Sequence, residues 1–439
     1  MRFCLVVVFV PFMALLSCIA AVQPNSINLG GNIHKSYWSS PITTLAGTGG
    51  SNSKLIAPPT RYATEFVFHV NVGIGTFDPA AGGSSSSFKS YNLAIDSGSD
   101  LTWIQCEDCS SPGNTCFPQK DPLYPSSQSK SYKPLDCNGV PCVFNKTISA
   151  GSYTSGVLAT ETFTFQSSDG TSLPIPNISF GCSRDSKNIK YVAASRPFPN
   201  PTSGVLSLGW GPRSFLSQID SMSQGKFSYC IKPNNTEKTF LKFGQEVTPP
   251  KNPHVTPISQ VGNLSSYYVN LQGISVGGLR LNFGPSDFAL NKDGTGGTVI
   301  DSGALFALFK PPVYGAMFAT LEATLSKNKF LKRVVFHKGF KDLCYVELSP
   351  EARKTIPGMT FHLENNADFE VKPEGLFLFA VLPEDTKGVP KGTMALCFAA
   401  FPSEFRTAIG ALQHIGQKVV YDTKAKQLSF GPEDCDETS

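Results

Sequence analysis

From Phe66 the chain reads FVFHVNVGIG, with apolar and polar residues alternating at the two-residue period of a half-buried strand. Similar short runs follow, punctuated by Gly or Pro: LATETFTFQ, NISFGC, KFSYCI, TFLKFG, YYVNLQGISVGGLRLNFG and KVVYDTKAKQLSFG. Phe is abundant, at 33 residues, which suits pleated surfaces. Helical spacing occurs in only two places, GPRSFLSQIDSM around Arg213 and KPPVYGAMFATLEATLSKN after Lys310, the second opened by prolines. The pattern predicts a mostly β chain with occasional helices.

One pattern occurs twice. YNLAIDSGSDLTW, Tyr91 to Trp103, and GTVIDSGALFALF, Gly297 to Phe309, each carry an apolar strand into Asp-Ser-Gly and on into a second apolar run. The aspartates are 301 − 96 = 205 residues apart. A later apolar-apolar element follows each, SGVLSLGWG in the first half and RTAIGALQHIG in the second. The repeat predicts two lobes, residues 62–246 and 247–439, with the join near Gly244 to Pro250.

The N-terminus reads MRFCLVVVFVPFMALLSCIAAVQP: a positive start, an apolar stretch, then small residues at Ala20 and Ala21. Residues 1–21 are expected to be a secretory signal peptide. Residues 22–61 are rich in Ser, Gly, Pro and Thr and read as a propeptide or leader. The expected destination is the extracellular space or the vacuole, with no membrane span in the mature chain. The formal charge is +4, and no basic run points to nucleic acid. The densest basic stretch, KNKFLKRVVFHKGFK, reads as the solvated edge of a packed element.

Ten cysteines lie beyond the signal segment: Cys106, Cys109, Cys116, Cys137, Cys142, Cys182, Cys230, Cys344, Cys397 and Cys435. An even number in an oxidising compartment predicts disulfides. Cys106-x-x-Cys109 has neither a second such pair nor a His pair to complete a zinc site, and neither metal nor cofactor is expected. Asn145, Asn177, Asn234 and Asn263 head glycosylation sequons and are expected on exposed loops.

The chemistry follows from the repeated aspartates. A carboxylate ending a buried strand needs hydrogen bonds or a partner. Two carboxylates about 3 Å apart cannot both ionise readily and hold one shared proton. One can take a proton from water while the other gives one to a peptide carbonyl. Ser97 and Ser302 supply hydroxyls beside each Asp, and Gly98 and Gly303 allow close backbone approach. G-x-S-x-G around Ser275 formally suggests a serine hydrolase, but the motif needs a strand-to-helix turn and here reads as a hairpin.

DSGSDLTWIQCEDC, FSYC, GTGGTVIDSG, DLCY, ALCFA and VVYDTKAKQLSFGPEDC, in that order, resemble the pepsin-fold aspartic proteases, and within them the nepenthesin-like plant group. The resemblance runs from about Glu65 to Cys435. It implies a bilobal fold with a central cleft and a secreted monomeric zymogen cutting polypeptide at acid pH. Asp96 and Asp301 match the catalytic pair, and Ser99 matches a hydroxyl bonded to the outer oxygen of the first Asp. Trp103 matches a cleft residue. Ile148, Gly151 and Ser152 fall on the flap. The implied disulfides are Cys106–Cys109, Cys116–Cys182, Cys137–Cys142, Cys230–Cys435 and Cys344–Cys397.

Three positions depart from the family pattern. Ala304 stands where a hydroxyl would support Asp301, Ile148 where the flap has Tyr, and Ser207 where Gly is usual. These departures raise an alternative expectation, a catalytically weak or inactive homologue that binds proteins or peptides.

Overall fold

The computed structural model describes residues 56–435, apart from 58, 61–67, 79–86, 150–151, 167–170, 190–199, 233–240, 335–342, 382–388 and 390–392. The strand Lys89–Asp96 buries Leu93, Ala94 and Ile95 and ends at the first aspartate. It pairs antiparallel with His69–Ile74 and parallel with Gly204–Ser207, where Ser207 lies opposite Asp96. In His69–Ile74 Val70, Val72 and Ile74 are buried and Asn71 faces solvent, but His69 and Gly73 are buried as well, so the strand is covered on most of both faces. Trp103–Gln105 returns alongside Gly204–Ser207 and runs parallel to Ser172–Lys187.

The second half repeats this plan. Thr298–Asp301 pairs parallel with Thr407–Gly410, and Gly410 lies opposite Asp301. Ala307–Phe309 contacts the same strand antiparallel, through Leu308 and Ala408. Each half therefore inserts its later apolar element beside the strand that bears its aspartate. Gly410 is fixed by crowding, since a Cβ there would stand 2.5 Å from the Phe306 carbonyl oxygen.

A six-stranded sheet draws on both halves, in the order Ile56–Ala57, Leu241–Phe243, Lys226–Cys230, Gln417–Asp422, Gln427–Pro432, His254–Pro257. Its central pair sets Phe227 against Tyr421, with stacked rings 4.4 Å apart, and Tyr267 packs on Tyr421 at 4.7 Å. Such pairs contribute about 0.5–1.5 kcal/mol each beyond the area they bury. One continuous apolar cluster runs from Val70 and Phe163 in the first half to Phe361 and Phe430 in the second.

Two short strands lie inside the segment read as leader. Ile56–Ala57 pairs with Leu241–Phe243, and Pro59–Thr60 with His69–Ile74. The sheets thus begin using the chain before residue 61. The helical reading after Lys310 matches Pro311–Leu325, with prolines in its first turn. The segment around Arg213 gives only two single turns, Phe215–Gln218 and Asp220–Ser223.

The cysteines are paired Cys106–Cys182, Cys109–Cys116, Cys137–Cys142, Cys230–Cys435 and Cys344–Cys397. The expected Cys106–Cys109 and Cys116–Cys182 pairs are therefore exchanged. The cause is register: Ile104 lies beside Cys182 in a parallel ladder, and the Cys106 N–H donates to the Ser183 carbonyl. That brings the Cα atoms of Cys106 and Cys182 to 5.5 Å. The short helical turn Glu107–Ser110 carries Cys109 on, to meet Cys116.

Asn145, Asn177 and Asn263 are solvent-exposed, but the first two lie on strands rather than loops. Asn177 adopts φ 60°, left-handed backbone that Asn tolerates better than most residues. Asn234 lies outside the described residues.

Candidate active site

Both Asp-Ser-Gly turns close in the same way. The Gly98 N–H donates to Asp96 Oδ1 at 2.8 Å, and the Gly303 N–H donates to Asp301 Oδ1 at 2.8 Å. The turns then interlock. The Ser97 N–H donates to Ser302 Oγ at 3.0 Å, and the Ser302 N–H donates to Ser97 Oγ at 2.9 Å. The Ser302 hydroxyl gives its own proton to the Ile95 carbonyl, 3.1 Å away. Both serines are buried, where net stabilisation is about 1 kcal/mol per bond and breaking one partner costs more.

The glycines set the separation of the carboxylates. A Cβ on Gly98 would stand 2.6 Å from Asp301 Oδ2, and one on Gly303 would run into Asp96 Oδ1. Each carboxylate therefore rests on the backbone of the opposite turn. Burial pushes the Asp301 carboxyl well above the ordinary range, and the negative charge of Asp96 adds to it. The Gly303 and Ala304 N–H groups and the field of Arg406 oppose the shift without cancelling it. The arrangement favours one proton across the two turns, held at Asp301.

Ala304 lacks a hydroxyl, and the hydrogen bond Asp301 accepts comes from the Gly303 N–H. Ser99 does not take its expected part. Its hydroxyl is buried without a hydrogen-bond partner among the described residues, while its carbonyl is held by the Gly209 N–H at 2.8 Å and Asp96 Oδ1 takes the Gly98 N–H. Trp103 is not a cleft residue either. It is fully buried edge-to-face against Phe117, and its indole N–H has no partner among the described residues. Leu101, Phe144, Leu158 and Val205 belong to the same apolar cluster.

The flap is the hairpin Val143–Ser149 with Ser152–Gln166. Ile148 is 37% exposed. Ser152 is buried and donates to the Asn188 carbonyl at 2.8 Å. Gly151 lies outside the described residues. Lys146, on the first flap strand, is 3.8 Å from Asp100, two residues beyond Gly98. The Ser265 hydroxyl donates to the Gly98 carbonyl at 2.7 Å and ties the first turn to the second half.

Beneath the serines lies a group that the sequence reading passed over. The Tyr421 phenol lies beside Ser97 and sits 3.0 Å from the Tyr229 phenol. The motifs FSYC and VVYD contain both tyrosines, but alternation gave only their inward orientation, not their partners.

Ser275 sits within the strand Leu271–Val276, not on a strand-to-helix turn. It is 2.8 Å from His362 Nε2, and His362 Nδ1 is 2.7 Å from Asp368 Oδ1. The spacing is that of a Ser-His-Asp relay, but Ser275 is 7% exposed and is absent from the lining of the adjoining cleft, to which His362, Asp368 and Arg280 contribute. A nucleophile must reach its substrate, so this trio is read as cross-strand support.

The chain is matched over residues 84–245 by the family described as "Xylanase inhibitor N-terminal" and over 266–432 by "Xylanase inhibitor C-terminal". It is 30% identical over 398 residues to aspartic proteinase nepenthesin-1 of Nepenthes gracilis, covering 85% of this chain and 79% of that protein. It is 29% identical over 388 residues to the protein ASPARTIC PROTEASE IN GUARD CELL 2 of Arabidopsis thaliana, covering 85% and 76%. Among solved structures, soybean basic 7S globulin superposes with a TM-score of 0.64 at 16% identity, over 89% of this chain and all of the other. That likeness shows the fold: mostly β, bilobal and pepsin-like. With its repeated aspartate strands and these relatives, the chain belongs to the pepsin-like aspartic protease family, alongside the nepenthesin-type plant enzymes.

Proposed function

We propose that the chain is a secreted aspartic endopeptidase that hydrolyses peptide bonds at acid pH through Asp96 and Asp301. The observation that carries this reading is the reciprocal lock of the buried Ser97 and Ser302, which holds the two aspartate turns face to face. A water between the carboxylates loses a proton to Asp96 as its oxygen attacks the peptide carbonyl carbon. Asp301 gives its proton to the carbonyl oxygen, so a neutral gem-diol forms. Asp96 then protonates the leaving nitrogen while a gem-diol proton returns to Asp301, and the C–N bond breaks. No covalent intermediate forms and no cofactor is needed.

The N-terminal segment supports export, to the extracellular space or the vacuole. Because Ile56–Ala57 and Pro59–Thr60 are paired into the sheets, a leader removed before Ile56 would spare those pairings. Asn145, Asn177 and Asn263 are reachable for glycosylation. The test is digestion of denatured protein at about pH 3–5, the range a shared-proton pair favours. Pepstatin-sensitive cleavage that disappears in Asp301→Asn is expected. A purified, matured chain that cuts nothing, or an Asp301→Asn variant that cuts equally well, defeats the reading.

A second reading rests on the flap. Ile148 has no phenol to offer, and the Trp103 indole N–H stays unpartnered among the described residues. On this reading the chain is a weak or inactive homologue that binds proteins or peptides. Ile148→Tyr combined with Ala304→Thr separates the two: a large gain in turnover marks a cleft tuned away from catalysis.

A further inference from the structure

One segment of the second half reaches across the join and holds the first aspartate turn. The strand Tyr267–Val269 pairs antiparallel with Thr298–Asp301 and sets Tyr267 opposite Ile300, the residue before Asp301. Two residues earlier in the chain, the half-buried Ser265 donates its hydroxyl to the Gly98 carbonyl at 2.7 Å. The backbone around Ser265 is fixed to the first half as well. The Trp210 N–H donates to the Ser265 carbonyl at 2.6 Å, and the Tyr267 phenol donates to the Leu208 carbonyl at 2.6 Å. The Gln260 amide donates to the Trp210 carbonyl at 2.9 Å and to the Leu264 carbonyl at 3.2 Å. The Trp210 and Tyr267 rings stack with centroids 5.4 Å apart. Gly209 leaves room for this approach, since a Cβ there would stand 2.8 Å from the Ser265 carbonyl oxygen.

Gly98 meets both carboxylates. Its N–H donates to Asp96 Oδ1, and its bare Cα is the seat of Asp301, whose Oδ2 would lie 2.6 Å from a Cβ there. A closed circuit results. It runs from Asp301 to Ile300, across the ladder to Tyr267, back along the chain to Ser265, through the hydroxyl to Gly98, and from Gly98 to the Asp301 carboxylate. The serine lock alone does not close this circuit. Its two bonds join the same two residues, Ser97 and Ser302, and act as a pivot. The bond from Ser265 comes from a different strand to the next residue, and it sets the tilt of the first turn on that pivot.

We propose that Ser265 is a positioning residue of the aspartate pair, which sets the distance between the two carboxylates by holding Gly98 against Asp301. The proposal rests on the hydrolytic reading of the dyad. Its consequence concerns the acid. Without the hydroxyl, the Gly98 carbonyl loses this donor and the first turn is free to lift away from Asp301. The groups facing Asp301 are Asp96, whose charge repels its own, Arg406, whose field favours its ionisation, and the neutral phenols of Tyr229 and Tyr421. Ser265 acts on the first of these, through Gly98. A wider gap and entering water both ease the ionisation of Asp301, so the proton it must give to the peptide carbonyl is lost at lower pH.

The test measures kcat and KM against pH on the matured full chain. Ser265→Ala is expected to lower kcat about fivefold, the worth of one hydrogen bond, with KM within about twofold. The basic limb of the profile is expected to move down by about half a pH unit, the change in repulsion when two carboxylates draw about 1 Å further apart at an effective dielectric of about 20. Ser265→Thr keeps the hydroxyl and should hold kcat and the limb near wild type. Ser265 also completes the sequon headed by Asn263, so Ser265→Ala removes a glycan acceptor too. Asn263→Gln removes that acceptor alone and is expected to behave as wild type. The proposal is overturned if Ser265→Ala loses thermal stability with kcat and the basic limb unmoved, if Thr fares no better than Ala, or if Asn263→Gln reproduces the Ala kinetics. A second readout does not depend on turnover. Carbon-13 NMR of the aspartate carboxyls, with Asp301→Asn assigning the signal, should show Asp301 titrating at lower pH in Ser265→Ala than in wild type; an unchanged midpoint overturns the proposal. A wild type that cuts nothing removes the hydrolytic reading instead, and the NMR titration still decides whether Ser265 sets the spacing.

Discussion

Ser97 and Ser302 hold one another's backbone from 205 residues apart, each N–H donating to the other's hydroxyl. Deleting one hydroxyl therefore orphans a buried N–H from the other half of the molecule. Ser302→Ala also leaves the Ile95 carbonyl without its donor. We expect a loss of about 2–4 kcal/mol in denaturant unfolding, from two buried groups at roughly 1–2 kcal/mol each, and a steep fall in turnover. Ser302→Thr keeps the oxygen and should retain most of both. Equal behaviour of the Ala and Thr variants would show that the hydroxyl is idle.

Gly303 has a different claim on its place. Its N–H is used by Asp301, and its missing side chain is used by Asp96, whose Oδ1 occupies the position a Cβ would take. Gly303→Ala must push the two turns apart, and misplacement of reacting groups by about 1 Å can cost roughly a hundredfold in rate. We expect turnover to fall by about that factor with the fold retained by circular dichroism. Turnover within a few-fold of wild type would mean that the carboxylates do not need this spacing.

Much of this could be read in the chain itself. The apolar runs entering Asp96 and Asp301 are local, and so is the alternation of His69–Ile74. The apolar elements Gly204–Ser207 and Thr407–Gly410 were visible as a repeat, but not their parallel insertion beside the aspartate strands, because that pairing joins segments more than a hundred residues apart. Ser99 and Trp103 were not legible in the same way. Their residue types fit the expected contacts, but whether a hydroxyl or an indole N–H finds an acceptor depends on partners distant in sequence, and here it finds none among the described residues. The tyrosines below Ser97 carry no sequence signal beyond alternation, since the hydrogen bonds arise where strands from the two halves meet.

The disulfide exchange gives a test of register. Cysteines 106, 109 and 116 lie close in sequence, so spacing alone does not choose the partner of Cys182; the parallel ladder through Ile104 does. In Cys116→Ala, a thiol label should appear at Cys109, whereas the pairing implied by resemblance would place it at Cys182. Mass spectrometry after proteolysis separates these outcomes, because Arg184 allows cleavage just beyond Cys182. Removing both Cys106 and Cys182 opens a span of 76 residues and removing both Cys109 and Cys116 a span of 7. On chain entropy the first should cost about 4.5 kcal/mol and the second about 2.4.

Asp301 and His414 should tilt stability with pH in opposite directions. The Asp301 carboxyl is raised in the folded chain, first by burial and then by Asp96. Its contribution is fully present below the ordinary carboxylate range and is lost as pH rises, because the unfolded chain releases that proton first. His414 is lowered to about 3 by burial. Its contribution is fully present above the ordinary imidazole value of about 6.5 and is lost as pH falls, because the unfolded chain takes up a proton that the folded chain refuses. Between about pH 4 and 6.5 the two slopes oppose, each up to about 1.4 kcal/mol per pH unit. Relative to wild type, Asp301→Asn should therefore gain stability as pH rises across that window, and His414→Asn should lose it. Urea unfolding at the two ends of the window measures both, and parallel curves for the two variants would show that neither group titrates out of its ordinary range.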